Sequence, residues 1–285
     1  MKIIVTGSLG NISKPLAISL IAKGHDVTVI SSDAGKASTI TALGADPAIG
    51  SLEDGEFVNE TFAGADAVYC MIPFSMTEPD QLGYFSRIAN NYTEAIKANH
   101  IKRVINLSGW AAEVIKDHSA EAFFNHFSDV AVTHLRPGSF YSNFYGFIGM
   151  IKTYGMIMSN YGGDDLIAFV SPEDIADVVV EELEMPASTG VKIRYVASDE
   201  LTCNEAAHIL GTAIGKPDLQ WPALPSEQVQ QGMEMMGMPK ELAAMLVEMQ
   251  AAQHTGEIQT KYFEHRPVLG KRKLKDFAPL FAAAY

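Results

Sequence analysis

The segment KIIVTGSLGNIS, residues 2–13, constrains the chain more than any other: a short apolar run ends in a glycine-spaced turn that opens a helix. A Cβ would obstruct the tight turn that Gly7 takes, and Gly10 lets the main chain come close to a pyrophosphate. The helix that follows points free N–H groups at phosphate oxygens. A dinucleotide is the ligand class that suits this arrangement. The spacing is Gly-x-x-Gly, not Gly-x-Gly-x-x-Gly, and Ser13 stands where a third glycine is usual.

Beyond the turn, apolar runs alternate with helical patterns: KIIVT, DVTVI, DPAIG, AVYCMI, RVINLS and VAVTHL are strand candidates in a βαβ rhythm. Strands that read as continuous apolar runs are buried on both faces, as in a parallel sheet covered by helices. The first helix is expected near residues 11–23. Its PLAISLIA core is apolar almost all round and should lie against the sheet, with Pro15 in the first turn, where a missing N–H costs least. Further helices are expected near 34–43, 54–62, 77–98 and 118–127. In SPEDIADVVVEEL, Ser171 can cap, Pro172 suits the first helical position, and Glu173 and Asp174 face the positive end of the helix dipole. From about residue 186 the rhythm changes to one more strand, KIRYVA, and then to helices interrupted by KPDLQWPALP. Met233, Met235, Met236, Met238, Met245 and Met249 gather there, as the cap of a pocket or as a small helical core.

A net charge of −13 argues against nucleic acid and anionic membrane as main partners, since both require a positive face. The basic stretch KRKLK at 271–275 reads as a solvated surface segment. No apolar run reaches the roughly 18 residues of a membrane span. The first strand begins just after Met1 and leaves no room for a signal peptide, so cytoplasmic residence is expected. Cys70 and Cys203 are expected as reduced, buried thiols. His-Glu-x-x-His, Cys-x-x-Cys, Gly-x-Ser-x-Gly and a phosphate loop ending in Gly-Lys-Ser/Thr are all absent, which leaves no support for zinc hydrolysis, a serine hydrolase or an ATPase.

Taken in order, VTGSLGNIS, VINLSGW, THLRPGSFYSNF at 133–144 and SPEDIADV at 171–178 resemble the NmrA-like atypical short-chain dehydrogenase/reductases. The resemblance implies an α/β fold, a doubly wound parallel sheet of the Rossmann type binding NAD(P), with a smaller α/β C-terminal substrate domain. The boundary is expected near residue 185, giving a cofactor domain over 1–185 and a substrate or lid domain over 186–285, with pocket segments within 138–165. Members of that family include NADPH-dependent quinone and dye reductases, and also redox-sensing regulators that bind NADP without turnover.

Carried over by position, Gly7, Leu9, Gly10, Asn11 and Ile12 would hold the pyrophosphate, and Ser13 in the first turn can bond a backbone group. At the end of the second strand, Ser31 and Ser32 occupy the positions that decide between NAD and NADP. Lys36 can supply a cation for a 2′-phosphate, while Asp33 caps the following helix, so NADP(H) is preferred and NAD(H) possible. Ser51 and Leu52 would lie near the adenine. Met71, Ile72 and Pro73 would line the ribose and nicotinamide side, and Ser108 ends the fifth strand, where ligands meet open α/β sheets.

None of the ten tyrosines is followed four residues later by lysine, so the proton-donating pair of the larger superfamily is missing. Hydride transfer from the cofactor to a substrate held against it remains. His118 is the candidate proton donor, placed ahead of Glu121, although a helix-surface histidine reads equally well. Phe140 and Tyr141, with Trp110, are expected as a pocket wall for a planar substrate, Phe144, Tyr145 and Phe147 as packing, and Asn143 as a further substrate-side residue. The expected activity is NAD(P)H-dependent reduction of a small quinone-like or conjugated acceptor; the alternative is a non-catalytic NADP-binding redox sensor. The expected partner is a small molecule, without nucleic acid or membrane, and the chain is expected to work as a monomer or homodimer.

Overall fold

The computed structural model describes residues 1–75, 78–115 and 119–285. The strands are β1 (Lys2–Val5), β2 (Asp26–Ser31), β3 (Asp46–Ile49), β4 (Ala67–Cys70), β5 (Arg103–Leu107), β6 (Ala131–Pro137), β7 (Ser139–Phe140), β8 (Leu166–Val170), β9 (Gly190–Val196) and β10 (Asp199–Thr202). A seven-stranded sheet runs in the order β3-β2-β1-β4-β5-β6-β9. From β3 through β6 every pair is parallel, with Val5 opposite Val29 and Tyr69, and Asn106 opposite Cys70 and His134. The strand order reverses at β1, the switch point at which doubly wound sheets bind their ligands. A second sheet, in the order β10-β8-β7, joins β7 to β8 in parallel and β8 to β10 antiparallel.

The helices between the strands are α1 (Ser13–Ala22), α2 (Ala37–Ala42), α3 (Gly55–Phe62), α4 (Gln81–Ala98), α5 (Ala112–Ile115), α6 (Glu121–Phe124), α7 (Ile148–Tyr154) and α8 (Pro172–Glu184). After β10 come α9 (Cys203–Ala213), α10 (Ser226–Met235), α11 (Lys240–His254), α12 (Glu257–Glu264) and α13 (Leu274–Ala284). Two helices are shorter than their expected spans. Asp80 caps α4 by accepting from Gly83 N, so this helix starts at Gln81; residue 77 of the expected span lies outside the described residues. The 34–43 stretch splits into a 3₁₀ turn, Ala34–Lys36, and α2. The 118–127 stretch is helical only over α6 among the described residues. Helix α1 is less enclosed than its apolar composition implies: Leu16, Ala17 and Leu20 are buried, while Ile18 faces solvent.

The chain divides into two compact units, each assembled from separate stretches: residues 1–112, 116–136 and 175–194 in the first, and 113–115, 137–174 and 195–285 in the second. The core of the first packs Ile4, Ile30, Val68, Val104 and Val132 from the sheet against Val58, Phe62, Ile88, Tyr92 and Phe124 from the helices. The Phe62 and Tyr92 rings stack at 6.0 Å between centroids. The second unit is built on aromatic residues. Phe144 touches Phe169 and Trp221, and the Trp221 indole donates to Ser159 Oγ at 2.7 Å. Cys70 and Cys203 are free and buried, as expected. No helix among the described residues is long and apolar enough to cross a membrane.

Because Phe62 has no exposed surface and closes the α3–α4 layer, Phe62→Ala removes both apolar burial and a stacked partner. It is expected to lower unfolding free energy by about 3–5 kcal/mol in urea denaturation, whereas a loss near 1 kcal/mol would mean that the layer collapses to refill the space.

Candidate functional site

At the end of β1 the main chain is tied down on three sides. Thr6 Oγ1 accepts from Met71 N at 2.8 Å, joining β1 to the residue after β4. Gly7 adopts φ +88°, and a Cβ added to it would come within 2.6 Å of Ser13 Oγ and 2.9 Å of Met71 Cγ. Only glycine meets both the left-handed backbone and the lack of space. Ser8 follows at φ +58°, a conformation that side chains rarely adopt. Two bonds hold it there: its N–H donates to Ile30 O at 3.0 Å and its hydroxyl to Ser31 Oγ at 2.8 Å. Ser13, in place of the usual glycine, donates to Thr6 O at 2.7 Å and so braces the turn from the helix side.

The first turn of α1 has no side-chain cap, since Ile12 occupies the cap position. Helices α3 and α9 are capped by contrast: Asp54 accepts from Glu56 and Phe57 N–H at the start of α3, and Thr202 accepts from Glu205 N–H at the start of α9. Gly10 N–H closes the turn on Gly7 O at 3.1 Å, but Leu9, Asn11 and Ile12 N–H have no acceptor among the described residues. Unfilled donors at the positive end of a helix form an anion site.

The parallel register brings the ends of β2, β3 and β4 to the same edge. There, Ser32 is exposed and Lys36 half-buried, whereas Ser31 is 2% exposed, with its hydroxyl accepting from Ser8 Oγ and from Asp33 N. Asp33 accepts from Gly35 N at 2.9 Å, the capping role expected of it. Ser51 is exposed, while Leu52 packs against the apolar core, its carbonyl accepting from Asn91 Nδ2 at 2.9 Å. After β4, Met71 is fixed through its backbone by Thr6 and by the Tyr92 hydroxyl, which donates to Met71 O at 2.8 Å. Ile72 packs on the core beside the half-buried Pro73.

Two polar layers lie above the apolar core at the ends of β5 and β6. In the lower one, the His134 ring sits between Asn106 Nδ2 at 3.0 Å and Asn125 Oδ1 at 3.1 Å. Burial lowers its pKa to about 4, more than the Glu121 carboxylate can raise it, so the ring is neutral. One alternation up each strand, Ser108 donates its hydroxyl to Glu121 Oε1 at 2.6 Å, and Arg136 grips the same carboxylate through Nε at 2.9 Å and Nη2 at 2.8 Å. Burial alone would raise the Glu121 pKa; the bonds from Arg136 and Ser108 outweigh it and hold the carboxyl below its ordinary range. Sequence reading missed this cluster. Its signal was Arg136 inside the buried run VAVTHLRP, because a buried guanidinium requires a carboxylate partner. The proton-donor candidate His118 lies outside the described residues, and Trp110 is buried in the first unit.

In the second unit Phe140 is half-buried and Asn143 exposed. Tyr141 is no pocket wall but part of the interior: its hydroxyl donates to Asp199 Oδ2 at 2.7 Å and its ring stacks on Phe277 at 5.7 Å. The KRKLK segment is likewise anchored and not merely solvated, because Arg272 pairs with the buried Asp174 at 2.5 Å and Leu274 is buried. Met235 and Met236 are 83% and 77% exposed, so these two belong to neither a helical core nor a closed pocket lining.

A family model described as the NmrA-like family matches residues 1–276. A protein named NAD(P)H azoreductase, from Xenophilus azovorans, is 25% identical over 291 residues, covering 99% of this chain and 99% of its own. A (4-alkanoyl-5-oxo-2,5-dihydrofuran-3-yl)methyl phosphate reductase from Streptomyces griseus is 26% identical over 225 residues, 75% of this chain and 74% of its own. Among solved structures, an NADPH-dependent quinone oxidoreductase from Escherichia coli complexed with NADPH superposes with a TM-score of 0.78. It covers 97% of this chain and 98% of its own at 18% identity, a likeness of fold.

An unfolded histidine titrates near pH 6.5, while His134 in the fold titrates at about 4. The neutral ring therefore contributes its full stability above about pH 6.5 and loses it as pH falls toward 4. Urea stability is expected to decline from pH 7 to pH 4.5, less steeply in His134→Gln. An imidazole NMR titration of His134 near pH 6.5 would contradict this.

Proposed function

The chain belongs to the NmrA-like family, and on that premise we propose that it is an NAD(P)H-dependent oxidoreductase, with NADPH preferred, that delivers a hydride to a small quinone-like or other conjugated acceptor. One observation carries the cofactor half of this reading: the uncapped start of α1, behind a turn whose Gly7 has no room for a Cβ. The relatives named NAD(P)H azoreductase and (4-alkanoyl-5-oxo-2,5-dihydrofuran-3-yl)methyl phosphate reductase support the reductive half.

In this reading the N–H groups of Leu9, Asn11 and Ile12 take the pyrophosphate, and Gly10 lets it approach. Ser32 and Lys36 take the 2′-phosphate. A carboxylate at this position would favour NAD, but Asp33 is committed to the Gly35 amide. Met71 and Pro73 border the nicotinamide side, with the Met71 backbone held by Thr6 and Tyr92. The bound nucleotide supplies the hydride. With no tyrosine–lysine pair in the chain, a quinone-like acceptor takes its proton from water.

Fluorescence titration is expected to show NADPH binding more tightly than NADH, and NADPH oxidation is expected with members of a panel of quinones, azo dyes and conjugated carbonyls. Tight binding without oxidation of any of them would replace the enzyme with a sensor. Gly10→Val places carbon where a Cβ already approaches Gly7 O at 3.0 Å and the phosphates must pass. It is expected to weaken NADPH binding at least about tenfold, about 1.4 kcal/mol, with the thermal transition little changed. Unchanged affinity would displace the cofactor from this loop.

A further inference from the structure

The cluster at the end of β5 has a direction. Ser108 has one hydroxyl proton, and it goes to Glu121 Oε1 at 2.6 Å. That carboxylate is already neutralised by two bonds from Arg136, and both residues are nearly enclosed, at 6% and 4% exposure. The third bond is therefore not needed to balance the charge; its effect falls on the serine. A hydroxyl held by a carboxylate makes a charge-assisted bond roughly twice as strong as a neutral one. With its proton spent, Ser108 has only lone pairs left to offer, and among the described residues no donor occupies them. The backbone is fixed as well, because Ser108 N donates to Leu135 O at 2.8 Å. Below it, the Asn106–His134–Asn125 layer keeps β5 and β6 in register.

We propose that Glu121, clamped by Arg136, is a positioning residue that sets Ser108 as a hydrogen-bond acceptor, so that the end of β5 takes a donor group of the bound nucleotide and not the oxygen of the substrate. The donor is an amide N–H or a ribose O–H on the nicotinamide side. The inference rests on NAD(P)H binding as proposed above and deepens it: Ser108 orients the cofactor and leaves protonation of the acceptor to solvent.

The test is equilibrium binding by fluorescence, with no turnover, of three probes: NADPH, its 3-acetylpyridine analogue, which lacks the amide N–H, and an analogue with a deoxygenated nicotinamide ribose. The unmodified chain is expected to bind one analogue at least fivefold more weakly than NADPH, and which one it is identifies the donor. Ser108→Ala is expected to weaken NADPH five- to tenfold and erase that preference; Ser108→Thr is expected to keep it. Glu121→Gln replaces the charged acceptor with a neutral amide that can present either its oxygen or its N–H to Ser108, so the serine is no longer held as an acceptor, and the preference is expected to shrink while the fold, checked by circular dichroism, stays. If Glu121→Gln does not fold, Ser108→Ala decides alone. NADPH affinity unchanged in Ser108→Ala, equal weakening of all three probes, or no preference in the unmodified chain overturns the proposal while leaving the cofactor site in place. Failure of the unmodified chain to bind NADPH overturns both.

Discussion

The crowding around Gly7 is the constraint on which the rest of the nucleotide-binding edge depends. Ser13 Oγ, Met71 and the Thr6 carbonyl converge there, and a single carbon added to Gly7 would overlap the first two. Through Thr6 the turn is tied to the end of β4, and through Ser8 to the end of β2. Three strand ends and the start of α1 are thus referenced to one another by short hydrogen bonds and not left to loop flexibility. The serine that replaces the usual third glycine is part of this device. Its hydroxyl closes the turn from within, where a glycine would leave the Thr6 carbonyl without that donor.

Uncapped α1 shows why such rigidity is tolerated in a loop. Helices α3, α4 and α9 satisfy first-turn N–H groups with aspartate or threonine side chains, whereas α1 leaves its donors free at the end of a braced turn. Donors left this way reduce stability on their own and are repaid when an anion binds. The buried polar layers at β5 and β6 follow a different logic. Arg136 and Glu121 pair away from water, and removing Arg136 would leave the buried carboxylate without its charge partner, so the pair acts as a fixed frame on which Ser108 is oriented.

Much of the first unit was legible because its signals are local. Continuous apolar runs specify strands buried on both faces, and KIIVT, DVTVI, AVYCMI, RVINLS and VAVTHL all became strands of the seven-stranded sheet. Asp33 as a cap followed from an acidic side chain two residues ahead of a turn amide. Residues whose role depends on partners distant in the chain were harder. Tyr141 read as a pocket wall because aromatic density is all that the sequence displays; Asp199, 58 positions away, is what draws it inward. Arg272 and Lys273 read as solvated because Asp174 and the Ser198 carbonyl, which hold them, lie far back along the chain.

By itself the sequence determined the βαβ order, the parallel sheet and the glycine turn at its switch point, since these follow from hydrophobic period and from the conformations that glycine alone allows. It could not say that Ser31 turns inward to brace Ser8, that the Ser108 hydroxyl donates to Glu121, or that the chain's two units are assembled from interleaved stretches. Those outcomes belong to the tertiary structure. A hydrogen bond's direction and a side chain's burial depend on which atoms the fold brings within 3 Å, and spacing along the chain carries no record of that distance.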